Sequence, residues 1–246
     1  MDNTLSLSLS LGNCLELMSN IPDGSVDMIL TDLPYGITAC QWDSIIPAAE
    51  MWTHFNRVTK KSAAIVLTAS QPFTSMLITS NLKNFRYELI WEKDKGSNPL
   101  LANKMPLKSH ENIVVFYRSL PTYNPQWVMG DPYVKKQGNC TFGEVVGGPK
   151  PTDKVSDGRR FPKSVVRISR EMHRDKANKH PTQKPVALME WLINTYTNVG
   201  DTVLDCCMGS GTTGVAALNL DRKFIGIEQD PRYFEMANNR ISPLLK

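Results

Sequence analysis

Six short runs of apolar residues punctuate the chain, at Val26–Thr31, Ala63–Thr68, Tyr87–Trp91, Ile113–Tyr117, Thr202–Asp205 and Phe224–Glu228. Their β-branched and aromatic content predicts strands. Most of the runs are continuous rather than alternating, the pattern of strands covered on both faces of a parallel-rich sheet. Helical apolar spacing falls between the runs. It predicts helices over Ile45–Val58 with Ser44 as N-cap, over Pro185–Thr197 with proline in the first turn, and over Thr213–Leu220 and Tyr233–Ile241. The expected class is α/β. From about Leu120 to Lys179 the alternation breaks into a stretch rich in Pro, Gly and Lys/Arg, which reads as an inserted, loop-rich module.

Composition narrows the function classes. With 246 residues, 41% hydrophobic and 21% charged, the chain can bury a substantial core, so disorder and fibrous repeats are disfavoured. The first residues, MDNTLSLSLSLGNC, alternate apolar with polar and carry no Lys or Arg, unlike a signal peptide. No stretch approaches the ~18 apolar residues of a membrane span. Five cysteines, an odd number without a CxxC pair, argue against a disulfide framework and a zinc cluster alike, so no metal is expected. The expected location is cytoplasmic. The net charge of +4 is uninformative until it is located: residues 135–179 hold twelve Lys+Arg and five Asp+Glu, so one segment carries the whole basic excess.

Two motifs carry chemistry. Strand Thr202–Asp205 runs into Cys206-Cys-Met-Gly209-Ser-Gly211-Thr-Thr-Gly214 and then an apolar helix, and the next strand ends at Glu228, placed to accept hydrogen bonds from ribose hydroxyls. This makes a nucleoside-binding βαβ unit. Asp205, immediately before the loop, would oppose a pyrophosphate but attract the sulfonium of S-adenosylmethionine. A nicotinamide enzyme would moreover open its nucleotide domain with such a loop, whereas here it nearly closes the chain. The second motif, Asp32-Leu33-Pro34-Tyr35-Gly36, follows the strand Val26–Thr31 and projects a carboxylate, a rigid turn and an aromatic ring toward the same crevice. Those groups suit a flat, amine-bearing substrate.

With these residues in view, the chain resembles the amino DNA methyltransferases of the permuted β class. Their catalytic DPPY motif precedes the recognition region, and their methyl-donor loop lies near the C-terminus. GNCLELM…IPDGSVDMILTDLPYG, WEKDKGSNP, SHENIVVFYR, HPTQKP and LDCCMGSGTTGVAA…FIGIEQDPRYFEMANNRI resemble family blocks in the right order. The resemblance implies a Rossmann-like sheet with circularly permuted motif order. Residues 1–119 and 180–246 would form the catalytic and S-adenosylmethionine-binding domain, and 120–179 an inserted basic target-recognition region. It implies that Asp32 and the Leu33 carbonyl take the hydrogens of the target amine, with Pro34 stiffening the turn and Tyr35 stacking on the flipped base. The donor contacts would be Asp205, Gly209, Ser210, Gly211, Thr212, Thr213, Glu228 and Asn13, with His180, Thr182, Gln183 and Lys184 lining the donor pocket.

The sequence departs from the family pattern at Leu33 for Pro, at Cys206-Cys207 for Pro-Phe and at Asn13 for Asp. DNA would be the partner, its phosphates held by Arg159, Arg160, Lys163, Arg167, Arg170, Arg174 and Lys176, although any one of these equally fits a solvated basic face. The resemblance allows a homodimer and leaves an endonuclease partner open. The acidic first position of the tetrapeptide implies adenine as target, transfer to the N4 amine of cytosine being the alternative. Methylation of RNA or of protein glutamine fits the motif order less well. Intact Asp32, Tyr35 and Asp205 argue against an inactive DNA-binding regulator. Trp42, Trp52 and Trp191 read as packing residues, and His54 and His173 lack metal-spaced partners.

Overall fold

A computed structural model describes residues 7–36, 44–135, 154–169 and 183–245. In chain order the elements are β1 (Leu7–Leu11), α1 (Cys14–Met18), β2 (Val26–Asp32), α2 (Ala48–Val58), β3 (Thr59–Ala69), α3 (Phe73–Ser80), β4 (Phe85–Ser97) and β5 (Lys108–Phe116). The short strands β6 (Val128–Met129), β7 (Tyr133–Lys135), β8 (Lys154–Ser156), β9 (Arg159–Arg160) and β10 (Val165–Arg167) follow. The chain ends with α4 (Val186–Tyr196), β11 (Thr202–Asp205), α5 (Thr212–Asn219), β12 (Lys223–Glu228) and α6 (Pro231–Ile241).

Eight strands form one sheet in the order β1-β12-β11-β2-β3-β5-β4-β10. Every pairing is parallel except the two made by β5, which runs against β3 and β4. The fold is α/β and Rossmann-like. Side chains alternate across the sheet, so the apolar runs serve two cores. Met28, Leu30, Ala64 and Val66 pack with Leu188 and Leu192 of α4 and Ala216 of α5. Ile29, Ile65 and Leu67 pack with Met18 of α1, Trp52 and Phe55 of α2 and Phe73 of α3.

All six strands read from composition are present. Two other strands of the main sheet escaped the pattern, as did the four short strands β6–β9. β1 lies at the sheet edge beside β12, where its positions are half-buried or exposed and none is fully buried. β10 is a three-residue strand against Ile90–Glu92 within the basic stretch. Helix α2 begins at Ala48, with Pro47 rather than Ser44 at its N-cap. Proline disfavours helical backbone in the residue before it, so Ile46 remains outside and the helix starts late.

The described chain divides into two compact units, residues 1–124 with 164–246, and residues 125–163. The second is narrower than the 120–179 expected. Asn124 still belongs to the larger unit, where its side-chain amide donates to the carbonyls of Asn194 and Thr197 at 3.1 and 2.9 Å. The chain rejoins that unit at Ser164, whose carbonyl accepts from the Ile90 amide at 2.8 Å. The smaller unit contains the antiparallel pairs β6–β9 and β7–β8. No helix among the described residues is long and apolar enough to cross a membrane.

Candidate active site

The sheet reverses its winding between β11 and β2. From β11 the chain passes through α5 to β12 on one side, and from β2 through α2 to β3 on the other. Connections that leave in opposite directions open a crevice beyond the carboxyl ends of the strands. A cavity of about 670 Å³ is lined by residues from those ends, among them Asp32, Pro34, Tyr35, Asp205, Gly209 and Glu228. Strand β5 runs backwards, so its beginning lies level with the ends of its neighbours, with Asn112 opposite Ala69. Lys108 and Glu111 thereby join the cavity lining.

One wall is a network around Asp32. Its Oδ1 accepts the Tyr35 hydroxyl at 2.6 Å and the Thr68 hydroxyl, and its Oδ2 accepts the Lys184 ammonium at 2.5 Å. Lys184 also faces Glu111 at 3.3 Å, and Glu111 is bound by Lys93 at 2.7 Å. Burial opposes the Lys184 ammonium, but the carboxylate charges of Asp32 and Glu111 and the hydrogen bond to Asp32 outweigh it and hold its pKa well above the usual lysine value. Burial likewise opposes the Glu111 carboxylate, yet Lys184 and Lys93 keep its pKa low. Two acids and two ammonium groups thus neutralise one another. Burial and the neighbouring Asp32 charge raise the Tyr35 phenol well above its ordinary value, so it stays a neutral donor. Its ring stacks on Phe73 at 5.3 Å. The Leu33 side chain is buried in the core with α2 and α3, which anchors the turn.

The opposite wall is the glycine loop. Glu228 accepts the Gly209 amide on one oxygen at 2.8 Å and the Asp230 amide on the other at 2.9 Å. Asp205 accepts the Thr31 hydroxyl at 2.7 Å and the Cys207 amide at 3.1 Å. Burial pushes the Asp205 carboxyl up to about 6 despite the hydrogen bonds it receives. Burial also raises Glu228, with the Asp230 and Gly209 amides partly offsetting it. Gly211 holds the left-handed conformation, φ 76°, that ends the loop, and a Cβ there would stand 2.7 Å from Ile241 and 2.9 Å from Ala237. Its missing side chain lets α6 approach α5, and the glycine does not line the cavity. Ser210, Thr212 and Thr213 do, with Ser210 donating to Gln183 at 3.1 Å. Asn13 lines it as well, while its Oδ1 caps α1 by accepting the Leu15 amide at 2.8 Å.

This wall fits S-adenosylmethionine. Two buried carboxylates that make no lysine or arginine ion pair among the described residues, set among Leu15, Met208 and Tyr233, suit a cationic nucleoside. Each carboxylate oxygen has two lone pairs, so Glu228 can accept ribose hydroxyls beside its backbone amides.

His180, Thr182, Arg170, Arg174 and Lys176 lie outside the described residues. Gln183 and Lys184 line the cavity, and Lys184 reaches across it to Asp32 rather than serving the donor wall alone. Arg167 belongs to β10 of the main sheet, where its guanidinium pairs with Glu92 at 2.7 Å. In the smaller unit Arg159 lies over Trp127 and Arg160 over Tyr133, at 5.6 and 5.9 Å, and Lys163 is exposed. The reading missed Thr68, Lys93 and Glu111, whose signal is charge or hydroxyl at the ends of strands that meet the crevice. It also missed a convergence of Cys14, Cys206 and Cys207, whose sulfurs all lie within 4.8 Å of one another. Hydrogen bonds from Cys206 and Cys207 hold the Cys14 thiol down at about 4.

Comparison with known proteins gives this geometry its family. The DNA methylase family of N6 and N4 amino methyltransferases matches residues 26–239. The type II methyltransferase M2.MboI of Moraxella bovis is 27% identical over 264 residues, covering 96% of this chain and 88% of the relative. The DNA adenine methyltransferase YhdJ of Escherichia coli K12 is 29% identical, covering 94% and 81%. The crystal structure of the M1.HpyAVI–SAM complex aligns with a TM-score of 0.63 and 25% identity over 95% of this chain and 99% of that one. A match over most of the chain, with the acid tetrapeptide and the glycine loop facing one cavity, makes this protein a member of the DNA methylase family, S-adenosylmethionine-dependent enzymes that methylate exocyclic amines in DNA.

Proposed function

We propose that the chain methylates the N6 amine of adenine in specific DNA sites. The observation that carries this reading is Asp32, the acidic first residue of its tetrapeptide, held in the same cavity as the glycine loop. S-adenosylmethionine supplies an electrophilic methyl group on a sulfonium. The chain's own groups must make the amine a better nucleophile, since its lone pair is delocalised into the base.

A carboxylate has about four lone-pair sites. Tyr35, Thr68 and Lys184 supply three donors to Asp32, which leaves an acceptor site for one N–H of the target. The Leu33 carbonyl takes the other hydrogen. Held in this way, the nitrogen rehybridises and presents its lone pair, so positioning and charge stabilisation dominate. Asp32 is also the nearest base for the proton that the methylated amine sheds. Lys184 fixes the carboxylate in place, and Glu111 fixes Lys184. The base must leave the duplex to reach this wall, at a cost of a few kcal/mol. Stacking on Tyr35 recovers about 1–3 kcal/mol.

In the smaller unit, Arg159 and Arg160 beside the exposed rings of Trp127 and Tyr133 supply cations for phosphates and faces for bases. We assign the unit, with the basic residues that flank it in sequence, to target recognition.

Labelled methyl transfer to defined DNA followed by nucleoside analysis tests the reading. N6-methyladenine is expected; N4-methylcytosine overturns the choice of base, and absence of incorporation into any DNA overturns the reading itself. Binding to DNA should weaken steeply with salt, and salt-independent binding removes the recognition role of the basic residues.

A further inference from the structure

We propose that Cys14, Cys206 and Cys207 form a three-thiolate site for one thiophilic d¹⁰ metal ion, Zn(II) or a softer relative, in the wall of the methyl-donor cavity. The catalytic reading uses none of these thiols. Cys14 opens α1, whereas Cys206 and Cys207 make the turn that leaves β11. Parallel pairing of β1 with β12 and of β12 with β11 brings these distant segments together. Sequence spacing concealed the cluster because its ligands come from opposite ends of the chain.

The geometry is close to that of a metal centre. Cys206 Sγ and Cys207 Sγ are 4.0 Å apart, and all three sulfurs fall within 4.8 Å of one another. Metal–sulfur bonds of about 2.3 Å put sulfurs roughly 3.8–4.0 Å apart around a tetrahedral or trigonal ion. A side-chain rotation that moves one sulfur by up to about 1 Å closes the remaining gap. Thiolate ligands select zinc and softer ions over oxygen-seeking ones. Binding exchanges thiol protons for the ion, so affinity rises with pH until the thiols are deprotonated.

All three cysteines line the same cavity as Asp205 and Glu228. A bound ion and the methyl donor would therefore compete, and the site would make methylation sensitive to thiophilic metals. The competition rests on the assignment of the donor wall, while the metal site stands independently of it.

The full-length, reduced protein titrated with Cd(II) tests the proposal. One equivalent should produce a sulfur-to-cadmium charge-transfer band, and Zn(II) bound beforehand should raise the Cd(II) concentration needed to reach it. The band should survive in a Cys40→Ser/Cys140→Ser variant, whose changed residues lie outside the described chain, and should vanish in Cys206→Ser and in Cys14→Ser. Circular dichroism confirms that each variant is folded; should Cys206→Ser fail to fold, the half-buried Cys14 decides through Cys14→Ser. Retention of the band in Cys14→Ser, its loss in Cys40→Ser/Cys140→Ser, or absence of stoichiometric binding overturns the site. Saturating S-adenosylmethionine should weaken Cd(II) binding at least tenfold. An intact band with unchanged affinity under donor saturation overturns the competition and leaves the thiol site standing.

Discussion

On the side of the cavity proposed for the methyl donor, acidic groups are held by neutral hydrogen-bond donors, mostly backbone amides of the same βαβ unit. Glu228 takes the amides of Gly209 and Asp230, and Asp205 takes the amide of Cys207 along with the Thr31 hydroxyl. On the catalytic side, Asp32 is held by a lysine 152 positions away, and Glu111 lies between two lysines. The first wall keeps negative charge that a cationic ligand can satisfy. The second is neutral overall and keeps an acceptor in place for an uncharged amine. Charge is tolerated in each case, by neutral hydrogen-bond donors in one and by counter-charge in the other.

The largest expected break in this contrast comes from Asp32→Ala. It removes the acceptor but none of the donor wall, so methyl transfer should fall by about 10²- to 10⁴-fold while donor affinity is unchanged. Single-turnover labelling and calorimetric titration with S-adenosylmethionine read the two separately, and near-normal turnover would sink the assignment of Asp32.

Lys184→Met attacks the counter-charge instead. It leaves Asp32 and Glu111 together with Lys93 as the remaining ion-pair partner of Glu111. Removing one member of a buried pair costs about 3–5 kcal/mol. Because Asp32 is partly exposed and Lys93 remains, about 2–3 kcal/mol is expected here, a fall in Tm of roughly 5–10 °C. Thermal unfolding of the unliganded protein measures it. An unchanged Tm would mean that the ion pairs contribute little to the fold.

Tyr35→Ala tests the base-facing surface of the same wall. Loss of stacking should weaken capture of the target base by about 1–3 kcal/mol, read by fluorescence of 2-aminopurine at the target position. Donor affinity should not move, because the ring stacks on Phe73 on the catalytic side.

The same division explains what could be read from the sequence. The wall proposed for the methyl donor was legible as a structure because strand, glycine loop and terminal acid follow one another within a single βαβ unit, from Asp205 to Glu228. Asp32 was legible as part of a motif, but the groups that hold it were not. Lys184 read as part of the donor pocket because nothing in HPTQKP shows that its lysine crosses to Asp32. Glu111 was hidden by the reversal of β5, which brings the start of a strand to the functional edge. The core strands announced themselves by continuous apolar runs, whereas β1 and β10 lie at sheet edges where burial is incomplete. Cysteine spacing concealed the approach of Cys14 to Cys206 and Cys207 for the same reason: these contacts join segments far apart in the chain.

The smallest expected effect concerns Asp205 and sharpens the difference between the walls through pH. Burial raises its carboxyl from 3.8 to about 6. In the unliganded protein the folded state therefore holds this proton more tightly than the unfolded chain. Its contribution to stability is present below pH 4 and is lost as pH rises through about 6. Donor binding has the opposite sign, because only the ionised carboxylate attracts a sulfonium. Affinity for S-adenosylmethionine should rise as pH passes from 5 to 7, by no more than about tenfold per unit, and level off above the pKa. Asp205→Asn should lower affinity at pH 7.5 by about tenfold, an ion contact worth ~1.4 kcal/mol, and flatten the pH dependence. It should also make the unliganded protein no less stable at neutral pH, since a buried charge has been removed. Calorimetric titrations and melts of both proteins across pH 5 to 8 check the two signs together. A variant that keeps the wild-type slope would move the cation-binding role from Asp205 to Glu228.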